Sequence, residues 1–230
     1  MKILGFQKLT LLDFPGKCAA TVFTAGCNFR CPFCHNALLV TEFDESGVID
    51  ENEIFSHLKS KAKVLDGVAI TGGEPLLWHD IGEFIKKVRA LGLMVKLDTN
   101  GTFPSRLEEL IKEGLLDYVA MDIKNRPEKY ALTAGVKELD LAPIEKSIEI
   151  LKTSGVDFEF RTTVVKEFHD EEDIEALAKW IAGDEKYFLQ NFVDSGELIG
   201  SDMHAVSRET LENMREKARK YVRKTELRGV

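Results

Sequence analysis

Short apolar runs rich in β-branched residues alternate along this chain with longer stretches whose apolar positions recur at helical spacing. The runs are Ala19–Thr24, Val64–Thr71, Met94–Thr99, Tyr118–Ile123, Phe158–Val165 and Tyr187–Phe192. Continuous apolar segments of this length suit strands buried on both faces. Between them, Ile81–Leu91, Leu141–Leu151, Glu171–Ile181 and Thr210–Val222 carry the helical pattern. Asp50 before Glu53 and Ser105 before Glu108 read as capping boxes. Strand and helix repeated six times predict parallel βα units, and right-handed crossovers curl them into an open, partial (β/α)6 TIM-like barrel of α/β class. Residues 1–230 form one domain in this reading. An edge strand or hairpin occupies 1–16, and a basic helix spans 207–228.

Composition narrows the function classes. With 230 residues and 44% hydrophobic positions the chain can bury a sizeable core. No run of about 18 apolar residues occurs, so no membrane-spanning helix is expected. The first residues, Met1 to Lys8, lack the long apolar stretch of a signal peptide, and a cytoplasmic location is expected. Thiols there stay reduced. Three of the four cysteines share one motif, which argues for a cofactor over disulfides. A net charge of −8 disfavours nucleic acid as the main partner. The tail is the exception: Arg215, Lys217, Arg219, Lys220, Arg223, Lys224 and Arg228 outnumber its acids. They form either a solvated face or a docking patch for an acidic partner.

The chemistry sits where the predicted strands end, the place where parallel α/β folds gather their ligands. The first strand runs into Cys27-x3-Cys31-x2-Cys34. Three thiolates on one short loop can hold three corners of a cubic iron–sulfur cluster and leave one iron open for catalysis. The second strand ends in Thr71-Gly72-Gly73-Glu74-Pro75, the third in Asp98-Thr99-Asn100-Gly101 and the fourth in Asp122-Ile123-Lys124. The fifth contains Arg161-Thr162-Thr163 and the sixth ends near Gln190-Asn191-Phe192. Gly72 and Gly73 would let a ligand approach the backbone, their carbonyls accepting from an ammonium. Asp98 and Asp122 can accept from an ammonium, ribose hydroxyls or a cation; Lys124 and Arg161 suit a carboxylate. Each alone reads equally well as a surface ion pair. Their shared position at strand ends favours a site.

These motifs together resemble the radical S-adenosylmethionine (radical SAM) superfamily, over about residues 17–193. Cys31-Pro32-Phe33-Cys34-His35-Asn36, Asp98-Thr99-Asn100-Gly101 and Asp122-Ile123-Lys124 resemble its glycyl-radical-enzyme activases. The opening Gly5-Phe6-Gln7-Lys8-Leu9-Thr10-Leu11-Leu12-Asp13-Phe14-Pro15-Gly16-Lys17 is most similar to the activating proteins of anaerobic ribonucleotide reductase. The resemblance implies a [4Fe-4S] cluster on Cys27, Cys31 and Cys34, with S-adenosylmethionine (SAM) on its open iron. It places Phe33 and His35 beside adenine or ribose, gives Gly72 and Gly73, with Glu74 of the same motif, the methionine amino end, and has Asp122 and Lys124 contact the cofactor. It also implies a possible monovalent cation on Asp98, Thr99 and Asp122. Arg161 joins the cofactor contacts, and Gln190 stands where some formate-lyase activases carry a histidine. The implied partners are a glycyl radical enzyme as protein substrate and a one-electron donor such as flavodoxin or ferredoxin.

Other readings compete. Cys31-Pro32-Phe33-Cys34-His35 matches the c-type haem motif, but haem attachment needs export and leaves Cys27 idle. A Cys3His zinc site would need the adjacent Cys34 and His35 in one tetrahedron. A radical SAM enzyme acting on a small molecule, such as a deazaguanine synthase, and a non-catalytic iron–sulfur electron carrier remain open. Cys18 reads as a small buried residue, and Met94, Met121 and the phenylalanines as core.

Overall fold

The computed structural model describes residues 1–41, 45–194 and 196–229. Among the described residues, eight strands form one open sheet in which spatial order equals chain order. They are β1 (Ile3–Thr10), β2 (Ala19–Thr24), β3 (Gly67–Gly72), β4 (Met94–Thr99), β5 (Tyr118–Asp122), β6 (Asp157–Val164), β7 (Gly183–Asn191) and β8 (Val222–Arg228). All neighbours pair in parallel except β1, which runs antiparallel to β2. The six expected strands are β2 to β7, and the expected N-terminal element is the edge strand β1. Helices α1 (Ala37–Val40), α2 (Glu51–Lys61), α3 (Ile81–Arg89), α4 (Pro104–Lys112), α5 (Pro127–Thr133), α6 (Ala142–Ser154), α7 (Glu171–Trp180) and α8 (Arg208–Arg219) fill the crossovers. The α/β class and the partial-barrel architecture are as expected.

Two local expectations need correction. The basic helix expected over 207–228 ends at Arg219, and Val222–Arg228 is a seventh parallel strand. Its Val222 and Thr225 are fully buried while Arg223 and Lys224 are exposed, and this three-residue spacing matches a helix as well as a strand. The basic side chains are also largely spoken for. Arg219 meets Glu216 and Glu226, Lys217 meets Glu171, and Arg228 meets Glu159. The capping box expected at Ser105 is absent, because Pro104 opens α4 one residue earlier and Phe103 is the N-cap. Asp50 caps α2 by accepting from Asn52 N, not through the expected box with Glu53, whereas a full capping box opens α7 through Asp170 and Asp173.

The barrel end where β2 begins is plugged by Phe14, which packs on Ala19, Tyr118 and Met94. A Cβ on Gly67 would lie 2.9 Å from the Phe14 ring and 2.7 Å from Met94 O, so only glycine fits at the start of β3. The opposite end, where the parallel strands finish, is left to polar groups.

Candidate active site

The loop after β2 carries Cys27, Cys31 and Cys34 and is pinned from three directions. Gly26 N donates to Leu39 O (2.8 Å), Arg30 N to Ala134 O (2.9 Å) and Gly200 N to Pro32 O (2.7 Å). Gly135, at φ +68°, lets the chain after α5 approach so closely that a Cβ there would stand 1.9 Å from Arg30 O. The loop is thus a preformed cradle.

All three motif sulfurs line one cavity of about 220 Å³. Cys18 is not among its lining residues; it lies just before β2, with its N donating to Asp66. Phe29 N and Asn100 Nδ2 donate to Cys27 Sγ at 3.3 and 3.8 Å. Burial, with help from Glu74, pushes the Cys27 thiol up to about 12, against the pull of Phe29 N–H and Lys124. Burial also raises Cys31, again against Lys124. A bound cationic group would favour their thiolate forms. Among the described residues no three His, Cys, Asp or Glu converge tightly enough to hold a single metal ion. An all-sulfur set of three around a cavity of this size fits a polynuclear iron–sulfur group.

Gly72 and Gly73 reach the cavity from the end of β3. Their lack of side chains also meets a packing demand. A Cβ on Gly73 would lie 1.9 Å from Gly26 O, and one on Gly72 would lie 2.4 Å from Thr24 N. The glycines let two chain segments touch, and the ligand-facing side is what remains. Asn36 Nδ2 holds Gly72 O at 2.8 Å.

Glu74 does not line the cavity. It is fully buried and accepts from Leu76 N (3.0 Å), Thr99 Oγ1 (2.8 Å) and Asn100 N (2.6 Å). It clamps the end of β3 to the end of β4, its carboxylate engaged by these protein donors. Burial pushes its carboxyl up to about 7, opposed by these three donors.

The expected polar residues of the later strands do converge. Asp98 and Thr99 of β4, Asp122 of β5, Lys124 just beyond, Arg161 of β6 and Gln190 of β7 all line the cavity. Arg161 Nε donates to Asp122 Oδ1 at 3.0 Å and its Nη1 to Asp98 Oδ2 at 3.2 Å. Lys124 Nζ donates to Asp122 Oδ2 at 3.1 Å. Burial opposes ionisation of Asp122, but the Arg161 and Lys124 charges overcome it and hold the carboxyl at about 2. Asp98 is lowered by Arg161 and Lys96 in the same way, again against burial. Buried His169 holds the Lys124 carbonyl through Nε2 at 2.8 Å. Phe33 is buried against Phe168, and exposed His35 stacks on Phe192 with ring centres 5.6 Å apart.

Sequence reasoning missed Asn36, Asn100, Thr163 and Lys96. The first three line the cavity. Lys96 was the legible one: a lysine inside Met94–Thr99, an otherwise apolar strand up to Asp98, must have a buried partner. It is ion-paired with Asp98 and its side chain is 3% exposed.

Residues 21–181 match the sequence pattern of the radical SAM superfamily. The chain belongs to the radical SAM superfamily. The family implies a [4Fe-4S] cluster and SAM, and the three-sulfur cavity accommodates that donor set. A radical SAM relative in Methanocaldococcus jannaschii, named "Putative glycyl-radical enzyme activating enzyme", is 38% identical over 195 residues, covering 83% of this chain and 79% of its own. The GTP 3',8-cyclase of Helicobacter pylori is 30% identical over 157 residues, which is 67% of this chain and 49% of the cyclase. Among solved structures, Streptococcus suis SuiB superposes with a TM-score of 0.70 at 16% identity, over 92% of this chain and 49% of that one. That likeness shows the shared fold. No helix among the described residues is long and apolar enough to cross a membrane.

Proposed function

We propose that this chain cleaves SAM reductively and installs a glycyl radical on a partner enzyme, an anaerobic ribonucleotide reductase being the partner its opening segment resembles. The observation that carries the reading is the 38% identity, across 83% of this chain, to the protein named as a glycyl-radical enzyme activating enzyme. The motif segments that resemble the activases line the cavity built above, which supports the same assignment.

When bound, the cluster would supply one electron to the SAM sulfonium, giving methionine and a 5'-deoxyadenosyl radical. Cys27, Cys31 and Cys34 would hold the cluster. The row of Arg161 and Lys124 offers positive charge to the methionine carboxylate. The Gly72–Gly73 backbone suits the methionine ammonium. Phe33 and His35 would flank the nucleoside. A partner's glycine loop would enter at the strand ends, where its Cα–H would be the hydrogen-atom donor to the bound cofactor's radical chemistry. Holding that Cα within transfer distance converts a rare encounter into a positioned reaction. The electron donor is a flavodoxin or ferredoxin in this reading, and the location is the cytoplasm.

The cyclase similarity favours a second reading, in which the substrate is a small molecule. One experiment separates them. Reconstituted protein, reductant, SAM and the partner deuterated at its glycine Cα should yield a doublet in electron paramagnetic resonance and deuterium in 5'-deoxyadenosine. Label arriving from a small metabolite, with no radical on the partner, replaces the activase reading with the second one.

A further inference from the structure

Two carboxylates on neighbouring strands facing one cavity repel each other and attract a cation between them. Here the chain provides that charge. The Arg161 guanidinium bridges Asp98 Oδ2 (3.2 Å) and Asp122 Oδ1 (3.0 Å). Lys96, two residues before Asp98 on the same face of β4, is paired with Asp98 Oδ1. Lys124 takes Asp122 Oδ2 at 3.1 Å. All four carboxylate oxygens therefore have a cationic partner. The charges alternate along Lys96, Asp98, Arg161, Asp122 and Lys124; three positive and two negative groups leave the row at +1. Glu159, the next acid below Arg161 on β6, does not draw the guanidinium away. It is held by both Nη atoms of Arg228 (2.6 and 2.8 Å) and by the Tyr118 hydroxyl (2.8 Å).

We propose that Lys96 and Arg161 are built-in counter-cations for the strand-end carboxylates, so that SAM binds here without an added monovalent metal ion, and that Lys96 is the positioning residue of this row. The inference rests on the reading that SAM occupies this cavity. Lys96 cancels the second charge of the Asp98–Asp122 pair, which leaves Arg161 shared between them and the row positive toward the incoming methionine carboxylate. Without Lys96 the row sums to zero, and a small cation regains a reason to enter.

The test measures SAM affinity of the reconstituted protein by equilibrium dialysis. The buffer cation is tetramethylammonium, too large for the site, and Na+ or K+ is then added at fixed ionic strength. The parent should change its Kd by less than about twofold across the series. Lys96→Met should bind about tenfold more weakly in tetramethylammonium, the order expected for losing one charge several ångströms away, and should recover when the small cation is added. Lys96→Arg should behave as the parent. A parent that needs Na+ or K+ overturns the inference, as does a folded Lys96→Met protein with parental, cation-independent affinity. If Lys96→Met fails to fold, the parent and Lys96→Arg titrations still decide. A parent that binds no SAM in any buffer overturns the cofactor reading as well. A parent that generates a partner radical only with Na+ or K+ overturns this inference alone.

Discussion

Replacing Glu74 with Gln tests whether this glutamate holds the fold or touches the cofactor. Its carboxyl is fully buried between the ends of β3 and β4 and accepts from three protein donors. Burial raises it from an ordinary 4.5 to about 7. A raised folded-state value means that the folded protein keeps the proton over a range where the unfolded chain has lost it. The contribution is therefore fully present below 4.5 and is lost as pH rises through about 7. Each pH unit in that window is worth about 1.4 kcal/mol, so the loss amounts to about 3 kcal/mol. Gln is close in shape to the protonated acid and cannot ionise. At pH 5 the variant should cost only the hydrogen bond its amide cannot accept, about 1–3 kcal/mol. By pH 8 that disadvantage should shrink or reverse, because only the parent bears the buried charge. Anaerobic urea unfolding of parent and variant apoproteins between pH 5 and 8 reads the difference directly. A difference that is flat with pH, or that grows toward alkaline pH, refutes the reasoning. The folded variant should bind SAM within about twofold of the parent, and a large loss there would return Glu74 to the cofactor's side of the cavity.

The remaining predictions concern the cradle and the row. Changing Cys27, Cys31 or Cys34 to Ala should abolish incorporation of about four irons, while Cys18→Ala should retain it, as read by iron and sulfide analysis after anaerobic reconstitution. Asp122→Ala and Lys124→Ala should each weaken SAM binding by about 1–3 kcal/mol, since each strands a charged partner in a partly desolvated row; unchanged Kd values would refute their role. Gly135→Ala should push against Arg30 O and lower iron retention while the far-ultraviolet circular dichroism stays that of the parent.

Much of this was legible in the sequence because β2 to β5 are buried along most of their length and read as near-continuous apolar runs, while β6 and β7 keep Phe160, Val164, Tyr187 and Leu189 buried among their polar residues. The loaded segments follow those runs directly, and the parallel topology brings them to one end. What escaped was set by tertiary partners. β8 buries Val222 and Thr225, three residues apart, among exposed charges, a spacing that fits a helix equally well, and its Arg228 passes for part of a helical surface until Glu159 is seen to hold it. Glu74 shares a motif with Gly72 and Gly73, yet its carboxylate is held by Thr99 and Asn100 at the end of the next strand and by Leu76 N of its own turn. Gly72 and Gly73 carry a packing constraint that was not legible, since a close approach between Gly73 and Gly26 leaves no trace in local pattern.

Because strand order in the sheet equals chain order, the molecule can grow by adding one strand at a time to a moving edge. Each unit pairs with a neighbour already made, which keeps sequence separations modest and favours rapid assembly. Every intermediate, however, exposes a parallel edge that the next strand must cover, and such edges invite association with other chains. The cysteine loop is made early, between β2 and β3, whereas Arg161 arrives with β6 and the Gly200 contact that pins Pro32 arrives after β7. A nascent chain thus presents three thiols long before their cavity exists. Loading of iron and sulfide should follow completion of the barrel, and chains stalled before β7 should expose thiols to oxidants that the finished protein shields.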